Sequence, residues 1–250
     1  MYKMLLAGCA ATVLAAAPAL AQDAYMSPMD FSTQTQALTS STIGNLSVGE
    51  TARRQGGRGG TAAAQGMGRG GITGFAPGAR VSDARLPFAS TAATQKQALD
   101  AYLARAMRSN PREVGLIANE LRRRPITAEL MGEYRKYGLN GNDAADVMAA
   151  FLMVGWEAMN GRDATPAQAR GIRRQVAGNL IGVPAMRNPA TRARFAEELK
   201  ITTYVLATGM SAAKRDGQVQ QYRQQLGQFY RQHTGQDIGR WRLTQAGFAR

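Results

Sequence analysis

The stretch that decides the fold is residues 142–161, NDAADVMAAFLMVGWEAMNG. Asn142 or Asp143 offers a side-chain oxygen to the first free N–H groups of a helix, and Gly161, after Asn160, supplies the left-handed residue that stops it. Between Asp146 and Glu157 the ten residues Val147 to Trp156 carry no charge, so the helix is apolar on nearly all faces and is expected at the centre of a core. A membrane span needs about 20 such residues, so this one is too short to cross a bilayer.

Outward from it the chain reads as helix after helix. Thr127 is placed to cap a helix whose Leu130, Tyr134 and Tyr137 share a face, with Gly138 ending it and Leu139 folding back on Tyr134. Upstream, Leu99, Tyr102, Leu103, Ala106 and Met107 follow the i, i+3, i+4, i+7 rule; Pro111 then opens a helix with Val114, Ile117, Ala118 and Leu121 inside. Downstream, Thr165-Pro166 is a cap and first-turn pair for a helix carrying Ile172, Val176 and Leu180. Asn188-Pro189 opens a long helix through Phe195, Leu199, Thr202 and Leu206 toward Gly217. A last helix carries Val219, Tyr222, Leu226, Phe229 and Tyr230 and stops at Gly235. No alternating strand pattern of useful length is present. The expectation is an all-α domain, a compact bundle of about six to seven helices over 94–250.

Before it lie two other segments. Residues 1–21 read as a secretory signal, with Lys3 as the positive region, an apolar run from Met4 to Leu20 and a small-x-small box, Ala19-Leu20-Ala21, predicting cleavage after Ala21. The run Leu6-Ala7-Gly8-Cys9 also resembles a lipoprotein box, but it leaves Met4 to Gly8 as the whole apolar region, so acylation of Cys9 is disfavoured. Residues 22–93 are rich in Ser, Thr, Gln, Gly and Ala and are expected to form a disordered or extended polar arm. Within it, 10 of the 28 residues from Arg53 to Arg80 are glycine and five are arginine. That resembles an RNA-binding Arg/Gly segment, although Phe75 is the single aromatic on which a base could stack. A flexible linker is the preferred reading, and nucleic-acid binding the weaker one.

Composition narrows the chemistry. Cys9 and His233 are the only cysteine and histidine, which excludes a disulfide framework, a multi-cysteine zinc site and a Cys/His nucleophile pair in the mature chain. Neither cofactor nor metal is expected. The formal charge of the 250 residues is +14, and it is uneven: 94–124 carries seven bases and three acids, 125–161 two and five, 162–250 fifteen and five. The positive field of the C-terminal half favours anionic partners.

The run Tyr137-Gly138-Leu139, then Asn142-Asp143-Ala144-Ala145-Asp146, then Trp156-Glu157-Ala158-Met159-Asn160-Gly161, with the ending Leu243-Thr244-Gln245-Ala246-Gly247-Phe248, resembles a family of exported bacterial proteins catalogued as a domain of unknown function. That resemblance covers roughly 94–250. It implies a helical, exported protein behind a signal and a variable polar segment, and it carries no catalytic residues with it.

Candidate chemistry is sparse. Glu157 beside Trp156 could have a raised pKa and act as a general acid; a glycosidase needs a second carboxylate about 5 to 10 Å away. Asp146, eleven residues earlier, lies ~16 Å off along the helix. Asp163, just past the Gly161 turn, is the better partner for a muramidase-like hydrolase. Ser211-Ala212-Ala213-Lys214 matches S-x-x-K but lacks the S-D-N and K-T-G elements of penicillin-binding enzymes. His233 fits a helix C-terminus, as does the cluster Arg122, Arg123, Arg124. Gln220, Gln224, Gln228 and Gln232 make a polar, solvated face. Arg170, Arg173 and Arg174, with Arg162 near in sequence, place three guanidiniums on one patch, which an anion would relieve, although 26 arginines against five lysines also fit a general arginine bias. The reading is therefore a non-catalytic protein, periplasmic or secreted, that binds an anionic envelope component or a protein partner, with the cell-wall hydrolase as the alternative.

Overall fold

The computed structural model describes residues 80–109 and 111–249. The signal, Cys9, the Arg/Gly stretch up to residue 79 and the side chains of Gln232 and His233 lie outside the described residues. Seven α-helices follow one another: α1 Ala92–Ser109, α2 Pro111–Arg123, α3 Ile126–Lys136, α4 Ala144–Asn160, α5 Pro166–Leu180, α6 Pro189–Arg215 and α7 Val219–Thr234. Short 3-10 turns occupy Pro184–Arg187 and Ile238–Arg240. Among the described residues the fold is all-α apart from a two-stranded ribbon, residues 242–249. No helix among the described residues is long and apolar enough to cross a membrane.

Local chemistry explains the helix ends. Asp143 caps α4, its Oδ1 accepting from the N–H of Ala145 at 2.9 Å and of Asp146 at 3.3 Å, and Gly161 ends it at φ +66°. Thr165 and Gln168 close a reciprocal capping box at the start of α5. At the end of α3, Gly138 takes φ +71° and Leu139 donates its N–H to the Tyr134 carbonyl at 2.9 Å, with both side chains buried. This is the six-to-one closure expected after a left-handed glycine. Thr127 does not cap α3: Pro125 holds that position without a side-chain bond, and the Thr127 hydroxyl donates to Glu197 at 3.3 Å. A capping residue must precede the first turn, and Thr127 lies inside it.

The helix α4 is the hub, since every residue from Ala144 to Met153 is buried and it packs against α5, α6 and α7. Its approach to α7 depends on Gly155, where a Cβ would fall 2.2 Å from the Tyr230 ring; that ring's hydroxyl donates to the Phe151 carbonyl at 2.7 Å. In α1, Tyr102, Leu103 and Ala106 are buried as expected, but Met107 at the end of the stripe is exposed.

Two features depart from the helical reading. Residues 82–90, placed in the arm by composition, form an extended strap packed on the helices. Leu86 donates its N–H to Asp143 Oδ2 at 2.8 Å and accepts from Ala144 at 2.9 Å, and Phe88 donates to the Asn142 carbonyl at 3.0 Å. Leu86 and Phe88 are buried while Arg85, Pro87 and Ala89 are exposed. Two apolar residues at a two-residue period are too few to stand out against a polar arm; the packed structure extends upstream of 94 at least to Ser82. Upstream, the Arg80 carbonyl oxygen lies against Gly178 of α5, 1.8 Å from where a Cβ would be.

The second departure is a hairpin, β1 Arg242–Thr244 paired antiparallel with β2 Gly247–Ala249. Gln175, buried on α5, serves it as a substitute strand: its amide donates to the Phe248 carbonyl and its oxygen accepts the Phe248 N–H, both at 2.9 Å. Gly171 lets the turn lie on the helix, since a Cβ there would meet the Gly247 nitrogen at 2.3 Å. Trp156 reaches the same region, its indole N–H donating to the Trp241 carbonyl at 2.8 Å. Truncation of Trp156 to alanine should cost about 3 to 5 kcal/mol by leaving a cavity, whereas Gln224→Ala, on the exposed face of α7, should stay within about 0.5 kcal/mol of wild type. Denaturant midpoints compare the two; equal midpoints contradict the burial of Trp156.

Candidate anion-binding cleft

The patch expected from Arg170, Arg173 and Arg174 is divided by the fold. At about 100° per residue, Arg173 falls inside the buried arc of Ile172, Val176 and Ala177, while Arg170 and Arg174 lie at its edge and are exposed. Spacing of i, i+3 and i+4 makes three residues neighbours, but it does not put all three on the wet side of the boundary. Arg173 is 6% exposed and is fully engaged: Nε donates to Asp146 Oδ1 at 2.8 Å, and its terminal nitrogens donate to the carbonyls of Ser82 and Ala84, with Asp143 Oδ2 3.8 Å away. It is a tie between α5, α4 and the strap.

The counter-ions were in the sequence, but their partnership was not. Asp146 Oδ2 accepts the Asn140 N–H at 2.7 Å and a more distant Arg85 Nη1 at 3.3 Å. Burial pushes the Asp146 pKa above the usual carboxylate value; the Asn140 N–H pulls it back, Asp143 adds to the rise, and Arg173 opposes it. Asp146 thus bridges α4 to the turn before it, and through Arg173 to α5.

Above this tie opens a cleft of about 400 Å³, within the range of small-ligand sites. Its walls are the strap (Asp83 and Arg85), the Gly138-Leu139 turn, α5 (Ala167, Arg170 and Arg174) and Gln245 in the hairpin turn, with Asp146 and Arg173 beneath. Among the described residues, neither Arg170 nor Arg174 has a carboxylate partner. Arg85, with a side chain 66% exposed, forms one ion pair among the described residues, with Asp146. Sequence spacing drew attention to α5 alone; Asp83, Arg85 and Gln245 come from chain segments about 80 residues to either side, where no local pattern could join them.

The remaining candidates lie elsewhere. Arg162 and Asp163 are exposed, and neither lines the cleft. Glu157 does not line the cleft either. Its Oε1 accepts the Ala164 N–H at 2.7 Å and the Tyr137 hydroxyl at 3.2 Å, so the carboxylate staples the α4–α5 turn to the end of α3. Burial raises its pKa, the bonds from Ala164 and Tyr137 lower it, and Asp163 raises it further. Tyr137 in turn is pushed up to about 12 by burial and by Glu157. Ser211 donates its hydroxyl to the Ala207 carbonyl at 3.1 Å. Arg122, Arg123 and Arg124 are exposed at the end of α2, Arg124 pairing with Glu120. Gln220, Gln224 and Gln228 face solvent. Among the described residues no group of three or more His, Cys, Asp or Glu side chains could hold a metal ion.

Comparison with protein-family models, with curated proteins and with solved structures finds no match for this chain.

Two expectations test it. Arg173→Met should destabilise by about 3 to 5 kcal/mol, because it strands buried aspartates, while Arg174→Gln, at the surface, should change stability by no more than about 0.5 kcal/mol; calorimetry distinguishes them. Glu157 gives a pH signature. Its folded-state pKa is raised, so between the ordinary glutamate value and the raised one the native state holds a proton that the unfolded chain has released. Stability from this group must therefore grow as pH falls through that window. The Tm difference between wild type and Glu157→Gln should shift in favour of wild type on acidification; the opposite slope contradicts the assignment.

Proposed function

We propose that this protein is a non-catalytic binding protein of the cell envelope, whose cleft takes an anionic group of an envelope component. The observation that carries the reading is the pair Arg170 and Arg174, one turn apart on α5, exposed at a cleft and without a carboxylate among the described residues. Two like charges so placed repel, and an anion between them removes the repulsion while gaining charge-assisted hydrogen bonds. Export is supported by the leader-like residues 1–21. Membership of the exported helical family rests on the sequence resemblance alone; in the fold the residues that carry it do structural work, Gly138 and Gly161 ending helices, Asp143 capping one and Asp146 holding Arg173.

A cell-wall hydrolase using Glu157 with Asp163 is the second reading, favoured by the raised pKa of Glu157. Against it, the Glu157 oxygen nearest a donor is already bonded twice. Release of soluble fragments from peptidoglycan by the wild type, lost in Glu157→Gln, would support it.

For the binding reading, association with anionic vesicles or lipopolysaccharide should weaken steeply as salt rises, because exposed charges are screened over about 8 Å at physiological ionic strength. Arg170→Gln with Arg174→Gln should reduce affinity far more than Arg122→Gln with Arg123→Gln, which removes the same charge. Equal losses, measured by co-sedimentation, would reduce the effect to net charge and remove the site.

A further inference from the structure

We propose that the cleft selects a terminal phosphate monoester, clamped by Arg170, Arg174 and an Arg85 that leaves Asp146 to join them. This rests on the anion-binding reading and goes further by naming the ligand chemistry and the residue that moves.

The four arginines of the cleft are held in different ways. Arg173 is buried and bonded to Asp146 and to the Ser82 and Ala84 carbonyls; withdrawing it would strand two buried carboxylates. It supplies field from below, not contact. Among the described residues Arg170 and Arg174 have no carboxylate partner. Arg85 is intermediate, an exposed side chain whose ion pair is a 3.3 Å contact with Asp146 Oδ2. That oxygen also accepts the Asn140 N–H at 2.7 Å, and the other oxygen of Asp146 is taken by Arg173 at 2.8 Å. Asp146 therefore stays paired when Arg85 departs, and the guanidinium can swing at the cost of one long contact. A neighbouring anion of higher charge outcompetes a carboxylate that is already satisfied.

The number of donors then chooses the anion. A guanidinium fork fits two oxygens of a carboxylate or phosphate, so one arginine suffices for a carboxylate. Three forks match a group with three peripheral oxygens and nearly two charges, which a phosphate monoester has at neutral pH, while a diester has two free oxygens and one charge. Asp83 and Gln245 stand in the same lining. The carboxylate of Asp83 repels a second anion, which disfavours a continuing phosphodiester chain. Both side chains accept hydrogen bonds, which suits a hydroxylated carrier on the ester oxygen.

Titration calorimetry at fixed ionic strength tests this with glucose 1-phosphate, dimethyl phosphate and acetate. The monoester should bind at least tenfold more tightly than the other two. Its second ionisation lies near pH 6, so affinity should rise roughly tenfold between pH 5 and 7.5. The groups facing the cleft are Asp83, Asp146, Arg85, Arg170, Arg173 and Arg174. Asp146, whose pKa burial raises, acts in the opposite sense, since its protonation frees Arg85. A rise in affinity with pH therefore reports the ligand's own charge. Arg85→Gln should keep the wild-type Tm but lose most of the preference for monoester over diester. Arg170→Gln with Arg174→Gln should abolish binding of both.

Equal affinity for monoester and diester, or an Arg85→Gln protein that discriminates like wild type, would overturn the clamp while leaving anion binding in place. No binding of any probe at low salt would overturn both. Phosphatidylcholine vesicles doped with phosphatidic acid or with phosphatidylglycerol locate the source. Binding to the first alone, reversed by glucose 1-phosphate, assigns a lipid-borne monoester; glucose 1-phosphate binding without vesicle binding assigns a soluble one.

Discussion

Arg173 between Asp143 and Asp146 is the constraint on which the remaining structure depends. Removing three charges from water costs several kcal/mol per ion, and the fold offsets that cost by giving each of the three groups more than one hydrogen bond. Asp143 caps α4 with one oxygen and binds the strap with the other. Asp146 holds the turn at Asn140, and Arg173 reaches two strap carbonyls. The central helix cannot start, the strap cannot lie down and α5 cannot choose its rotation independently of one another.

A second polar seam runs along α6. Glu197, Glu198 and Lys200 are all buried. Lys200 pairs with Glu197 at 3.0 Å and lies over the Phe88 ring at 5.1 Å, while Ser90 donates to the same Glu197. Burial lowers the Lys200 pKa, and the neighbouring carboxylate resists that shift. Glu198 is paired with Arg105 of α1 and, less closely, with Arg194. The strap is thus fastened at both ends by hydrogen bonds to side chains that are themselves ion-paired, Arg173 at Ser82 and Ala84 and Glu197 at Ser90, with Leu86 and Phe88 between them supplying the apolar contact. Such seams fix register: a slip of one residue would bury an unpaired charge.

What the sequence made legible was what is local. Helix caps at Asp143, Thr165 and Asn188, and stops at Gly138, Gly161 and Gly235, act within four residues of themselves, so their chemistry can be read in place. The strap and the hairpin are stabilised by partners far along the chain, Leu86 by Asp143 and Phe248 by Gln175, and nothing beside them announces it. The site divides along the same line. Arg170 and Arg174 were visible as neighbours on one helix, but the inward turn of Arg173 depends on two aspartates 27 and 30 residues earlier. For Glu157, the adjacent tryptophan suggested an indole environment; the indole went instead to the Trp241 carbonyl and the carboxylate to Ala164 and Tyr137.

The strap enters the domain along α5, with the Arg80 carbonyl against Gly178 and the Ser82 N–H on the Arg174 carbonyl at 2.9 Å. Arg174 is itself a wall of the cleft. The chain before residue 80 therefore joins the domain beside the cleft, and a ligand bound by that segment would meet the cleft at an effective concentration set by the length of chain between them rather than by diffusion. Two weak attachments, one on that segment and one in the cleft, would then act as a single avid one, with the lip of α5 as their common anchor.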